Sequence, residues 1–265
     1  MDIELKILRF ISTNLPPIRG MGLIPIKLLV PFYNRIHRDK VIANFKGKIM
    51  ELDPTECIDR ALLFYPQLVD RKELEFLEKH LKTDSIFVDI GANVGMYSLV
   101  AANHIRTGKI IAIEADHFNF QRLLKNIFLN SIQNIVAINK GVSDKSEILK
   151  LYLNERGNRS GNSFLDVEPG LRQTISVECE TLSTVLKECN IQNIDIMKID
   201  IEGFEYKVLN NFFLEAFVDL YPTYIITEYH EGLKDLAGGS VIDLLINVGY
   251  KIIYKEDINY ILEFS

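Results

Sequence analysis

The chain has 265 residues, 48% of them hydrophobic and 25% charged, with a formal net charge of −6. That composition supplies a full globular core, and the acidic balance excludes general nucleic-acid binding, which needs a basic face. Three cysteines without a C-x-x-C pair exclude a disulfide framework and fit reduced thiols.

Residues 1–40 carry seven Lys/Arg against three Asp/Glu, so a basic segment precedes an acidic remainder. Residues 3–15 pattern as a short amphipathic helix ended by Pro16 and Pro17, and Ile26–Tyr33 is a second apolar stretch interrupted by Pro31. One reading is a helical arm packed on the catalytic body or on a second subunit. The other is weak peripheral membrane contact through apolar residues flanked by Arg9, Arg19, Lys27, Arg35 and Arg38. The chain opens Met1-Asp2-Ile3-Glu4, without a basic n-region, and has no long uncharged apolar run. A cytoplasmic protein, at most peripheral to a membrane, is the expectation.

Val41–Leu52 alternates weakly and predicts a hairpin, and Pro54–Tyr65 and Arg71–Leu81 predict helices leading into the core. From there strands are predicted at 86–90, 109–114, 135–140, 194–199 and 223–229, with helices at 95–104, 117–130, 181–189, 203–217 and 239–247 between or after them. Two last strands, 249–255 and 258–264, are joined by Glu256-Asp257, a hairpin-length loop that makes the final strand antiparallel. Residues 141–180 read as irregular, with strand-like Ile148–Leu153 and Ile175–Cys179. Within them Leu153–Pro169 is polar and rich in Gly, Asn and Ser, a loop long enough to be a lid or a plain surface excursion. Alternating strands and helices imply an α/β fold with a doubly wound, Rossmann-like, mostly parallel sheet. The expected division is an arm and lead-in segment at 1–82 and a catalytic domain at 83–265.

The most informative stretch is Ile86-Phe87-Val88-Asp89-Ile90-Gly91-Ala92-Asn93-Val94-Gly95. Its apolar part reads as a strand buried on both faces, and its glycines let the backbone turn and approach a ligand. A dinucleotide site would need a third glycine where Asn93 stands. Asp89 inside the strand suits an ammonium rather than a phosphate. Glu114, at the end of the next strand and roughly 20 residues past the glycines, stands where an acid reaches ribose hydroxyls. An amino acid fused to a nucleoside, S-adenosylmethionine, fits this pattern.

Val88–Gly95, Ile113-Glu114-Ala115-Asp116, Lys198-Ile199-Asp200-Ile201-Glu202-Gly203-Phe204-Glu205 and Ile226-Thr227-Glu228-Tyr229-His230 together resemble the FkbM-type S-adenosylmethionine-dependent methyltransferases. The resemblance covers about residues 60–230, and the Asp-Ile-Glu-Gly-x-Glu block is its most specific part. One departure is Glu180-Thr181-Leu182-Ser183, where the family usually carries Leu-Asp; a helix-cap exchange would account for it. The resemblance implies a seven-stranded sheet with one antiparallel strand, methyl transfer to oxygen, and acceptors such as glycans or polyketide-like products.

In that frame Asp89, Gly91, Asn93 and Gly95 form the methionine-end turn, Glu114 and Ala115 the ribose end, and Asp144 is placed to meet the adenine amino group. Asp200, Glu202, Glu228 and His230 gather titratable groups at neighbouring strand ends, as acceptor contacts and general base. The same four residues could hold a metal, but no tight ligand motif appears and none is expected. The expected partner is a small-molecule or glycan acceptor. Two rivals stand beside it, an N- or C-methyltransferase of the same fold and a non-catalytic S-adenosylmethionine-binding subunit.

Overall fold

The structure, a computed structural model, describes residues 9, 10, 12, 13, 39–154 and 158–265. Most of the basic arm, including its second apolar stretch and with it the membrane reading, lies outside the described residues. Its described part is helical and attached: the Arg9 guanidinium donates to the Asn44 carbonyl, and Gln67 Nε2 donates to the Ser12 carbonyl at 2.9 Å. Among the described residues no helix is long and apolar enough to cross a membrane.

Strands β1 (Val41–Phe45) and β2 (Lys48–Leu52) form the expected antiparallel hairpin, and α1 (Cys57–Phe64) and α2 (Arg71–His80) follow. Next come β3 (Ile86–Ile90), α3 (Met96–Ala101), β4 (Lys109–Ile113), α4 (His117–Leu129) and β5 (Ile135–Ile138). The stretch read as irregular with strand-like 148–153 and 175–179 builds a separate three-stranded sheet from β6 (Gly141–Ser143), which was not expected, and β7 (Glu147–Tyr152) and β8 (Thr174–Thr181), which match those two strand-like segments. Three residues are too few to show a period, and β6 exists because Gly141 pairs with Cys179 on β8.

The chain then runs through α5 (Leu182–Glu188), β9 (Ile196–Ile199), α6 (Glu205–Glu215), β10 (Tyr224–Glu228), α7 (Lys234–Ala237), α8 (Val241–Val248), β11 (Tyr250–Glu256) and β12 (Asn259–Phe264). The Thr181 hydroxyl caps α5 by accepting from Thr184 N at 3.2 Å, so Ser183 is not the cap; its buried hydroxyl has no hydrogen-bond partner.

The main sheet has seven strands in the order β11-β12-β10-β9-β3-β4-β5, with β12 antiparallel to both neighbours and the other pairs parallel. Alternate residues of each strand serve opposite cores. Phe87, Ile110, Ile196 and Ile226 pack against the hairpin, α1, α2 and α3. Val88, Ile111, Met197 and Ile225 pack against α5, α6 and α8. Residues 41–81 thus share one core with the sheet. The order grows outward from β3 to β5, then returns to β3 on its other side with β9. That reversal opens a crevice at the carboxyl ends of β3 and β9, where open α/β sheets bind ligands.

Candidate active site

The turn after β3 forms one wall of the crevice. Gly91 has φ +78°, and a Cβ there would stand 2.0 Å from the Asp200 carbonyl oxygen. The β3 and β9 strand ends therefore touch backbone to backbone, which only glycine permits. Gly91 N and Ala92 N both donate to the Ile113 carbonyl at 2.9 Å, tying the turn to the end of β4. Asn93 is also left-handed, with φ 50°, a conformation Asn tolerates.

Glu114 closes this turn from β4. Its Oε2 accepts from Asn93 N at 2.7 Å and its Oε1 from Asp116 N at 2.9 Å. Burial pushes its carboxyl up to about 7, although both N–H groups favour the ionised form. Each oxygen keeps a second lone pair for a ligand hydroxyl.

Acidic groups crowd the ends of β9 and β10. Lys198 Nζ lies 3.0 Å from Asp200 Oδ2 and 4.9 Å from the Tyr97 ring centroid. Burial opposes its charge, but Asp200, Asp89 and Asp70 outweigh burial and hold the ammonium above its ordinary pKa. Glu202 has φ 55°, a strained backbone of the kind that gathers at functional sites. Burial, then Asp200 and Glu205, push the Glu202 carboxyl up to about 7. Glu205 accepts from Ile201 N at 2.8 Å and Gly203 N at 3.3 Å, fixing the loop before α6. Glu228 is pushed up to about 8, by burial first and then by Asp200, Asp70 and Glu202 against Lys198. His230 Nε2 stands 3.5 Å from Glu228 Oε2.

At the other end the crevice is walled by Ala115, Gly141, Val142, Leu151 and Phe164, an apolar slot. A strap at residues 158–165 covers it. The Arg159 guanidinium lies 4.2 Å from the Phe118 ring centroid and 3.4 Å from Asp116 Oδ2, and Arg159 N donates to Glu56 Oε2 at 2.9 Å. Asn162 Nδ2 donates to Asp116 Oδ2 at 3.0 Å, and the Ser163 hydroxyl donates to the Glu202 carbonyl at 2.7 Å. The crevice encloses about 220 Å³.

Of the residues singled out in the sequence, Gly91, Asn93, Glu114, Ala115, Asp200, Glu202 and Glu228 line this one crevice. Four others stand off its wall. Asp89 is fully buried and accepts from Ser98 N at 3.1 Å and Ser98 Oγ at 2.6 Å, holding α3 against β3. Gly95 sits against Leu123 of α4, 2.5 Å from where its Cβ would be. Asp144 pairs with Lys207 of α6 at 3.1 Å. His230 is beside Glu228 and lines a separate small pocket together with Leu233 and Val241. Sequence reasoning missed Asp70, Tyr97, Lys198, Asn119, Arg159 and Asn162, all on the wall. Lys198 left one readable trace, a lysine inside an otherwise apolar strand. Among the described residues no group of three or more His, Cys, Asp or Glu is arranged to hold a metal ion.

The chain is similar to known methyltransferases. The profile of the methyltransferase FkbM domain matches residues 89–252. The chain is 27% identical over 193 residues to methyltransferase sdnD of Sordaria araneosa, covering 58% of this chain and 74% of that protein. It is 25% identical over 173 residues to methyltransferase 1 of Beauveria bassiana, covering 55% and 70%. Among solved structures, M. jannaschii TYW2 in complex with AdoMet aligns over 85% of this chain and 84% of its own, at 13% identity and a TM-score of 0.44.

The cofactor of such enzymes, S-adenosylmethionine, suits the donor set of the crevice. Carboxylates face the end where its two cations belong, and Glu114 has lone pairs for the ribose. The apolar slot is flanked by Asn119 Oδ1, a buried acceptor with no hydrogen-bond partner. With a family match over more than half of its length and a crevice that fits the family's cofactor, the chain belongs to the FkbM methyltransferases.

Proposed function

We propose that the enzyme methylates a hydroxyl oxygen, on a sugar, a glycan or another polar small molecule, with Glu228 as general base. The observation behind this reading is Glu228 itself, a carboxyl at the crevice end of β10 whose proton affinity is raised to about 8. An alcohol hydroxyl loses its proton as its oxygen bonds to carbon, and a base tuned near the working pH takes it best. S-adenosylmethionine, when bound, supplies a methyl on a positively charged sulfur that departs as a neutral thioether. Glu228 receives the hydroxyl proton, and His230, 3.5 Å from it, offers an exit for that proton toward solvent. Asp200 is held by Lys198 at 3.0 Å. With Glu202 it positions the methionine end and the acceptor. Glu114 binds the ribose, and the slot of Val142, Leu151 and Phe164 encloses the base.

The test is transfer from methyl-labelled S-adenosylmethionine to a panel of sugars, oligosaccharides and hydroxylated small molecules, with the product methyl identified by carbon NMR. A methoxy product is expected, and Glu228→Gln should cut turnover by about 10²–10⁴-fold with a much smaller change in cofactor affinity. Turnover should survive EDTA. Label appearing on nitrogen or carbon, or a Glu228→Gln enzyme as fast as the parent, overturns the reading.

A further inference from the structure

Asp70 immediately precedes α2, where an aspartate normally accepts a hydrogen bond from its own helix. It makes no such bond, and its backbone is left-handed, with φ 38° and ψ 44°. Its carboxylate turns into the crevice, where Oδ2 accepts from the Tyr97 hydroxyl at 3.0 Å. The side chain has given up its local partner for a place on the wall.

That placement matters because of the charges around it. At the methyl-transfer end the wall carries Asp70, Asp200, Glu202 and Glu228 but one cation, Lys198. Lys198 is hydrogen-bonded to Asp200, which leaves Asp70, Glu202 and Glu228 without a Lys or Arg ion-pair partner among the described residues. The other cations of the wall are engaged elsewhere: Arg159 sits between Glu56 and Asp116, at 3.8 and 3.4 Å, and Lys140 lies 3.8 Å from Glu188. Several carboxylates around one point favour a cation there, and a half-buried setting screens this preference less than open water would.

The methyl donor carries such a cation only before transfer. As the methyl carbon bonds to the acceptor oxygen, the carbon–sulfur pair stays on sulfur, the sulfonium becomes a neutral thioether, and the hydroxyl proton goes to Glu228. We infer that Asp70, together with Glu202 and Glu228, makes the crevice discriminate between charged S-adenosylmethionine and neutral S-adenosylhomocysteine, so that the reaction itself loosens its product. The inference rests on the cofactor assignment and is independent of which atom accepts the methyl.

Calorimetric titration with S-adenosylmethionine, S-adenosylhomocysteine and sinefungin, which carries an ammonium in place of the methylsulfonium, tests it without any acceptor. At low ionic strength and pH 8.5, where Glu202 and Glu228 are ionised, the two cationic ligands should bind the parent protein tenfold or more tightly than S-adenosylhomocysteine. Asp70→Asn keeps an acceptor oxygen for Tyr97 and removes the charge, so that ratio should fall at least threefold, through weaker binding of the cations alone. If Asp70→Asn fails to give a native circular dichroism spectrum, Glu202→Gln should lower the ratio in the same way. Equal or tighter binding of S-adenosylhomocysteine by the parent protein overturns the inference and leaves the cofactor assignment standing. A variant that weakens all three ligands equally does the same, because it shows a role in shape rather than charge. Binding of none of the three removes both.

Discussion

At the scale of single residues, Glu114 shows how one carboxylate serves fold and ligand together. Its two oxygens hold the N–H groups of Asn93 and Asp116, so the glycine turn and the start of α4 are set by the side chain that would meet the ribose. Glutamine has one acceptor oxygen where glutamate has two, so in Glu114→Gln one backbone N–H faces a second donor and the ribose loses an ionised acceptor. Hydrogen bonds to charged groups are worth about 1.5–3 kcal/mol, so S-adenosylmethionine affinity should fall tenfold or more. Unchanged affinity in a calorimetric titration of the folded variant would remove the ribose role. Glu114 was legible in the sequence because it ends an apolar strand at a telling distance from the glycines. Asp70 and Arg159 were not, because each reaches the crevice from an element outside the motifs and only tertiary packing brings it there. Asp144 illustrates the converse: its place after a strand was legible, but not the Lys207 amine that α6 brings against it.

At the scale of elements, the contact between the end of β3 and the end of β9 governs the site. Gly91→Ala would drive a methyl into the Asp200 carbonyl, 2.0 Å away, and would add the strain of a left-handed L-residue. Neither backbone can yield without parting the two strands. The variant should lose several degrees of thermal stability and measurable cofactor binding, read by scanning calorimetry and ligand titration. A variant with native stability and affinity would show that this approach is looser than the geometry requires. The sheet itself was readable because apolar strands alternate with helices, and the short loop, expected at Glu256-Asp257 and found at 257–258, announced the antiparallel final strand. Of the small β6-β8-β7 sheet, β7 and β8 were readable as strand-like stretches, but β6 was not, since three residues show no period and Gly141 finds its partner Cys179 only across the intervening chain. Part of the polar stretch read as a lid or a surface excursion is the strap bound to Glu56, Asp116 and Glu202. Its many polar side chains find partners only once α1, α4 and β9 are in place.

At the scale of the whole molecule, the crevice costs stability and the double-sided core supplies it. Glu114, Glu202 and Glu205 are pushed up to about 7 and Glu228 to about 8, each by burial first. The groups bearing on Glu228 are Asp70, Asp200 and Glu202, which raise its proton affinity, and Lys198, which lowers it. A carboxyl whose pKa is higher folded than unfolded binds more protons in the folded state, so its contribution is present at acid pH and lost as pH rises. Thermal stability without ligand should therefore decline between pH 5.5 and pH 8.5. Glu228→Gln, which cannot ionise, should flatten part of that decline. A melting temperature that rises over this range, or a Glu228→Gln profile parallel to that of the parent, would contradict the assignment. Bound S-adenosylmethionine should also flatten the curve, by placing its cations among the same groups and by binding only the folded state.

The most direct test of the whole account is a crystal structure of the protein with S-adenosylhomocysteine bound. The expected density lies across the ends of β4, β3 and β9, with both ribose hydroxyls on Glu114 and the adenine between Val142 and Phe164. The sulfur should face the space between Asp70 and Glu228. Density elsewhere on the molecule, or a ribose turned away from Glu114 toward the strap, would contradict it.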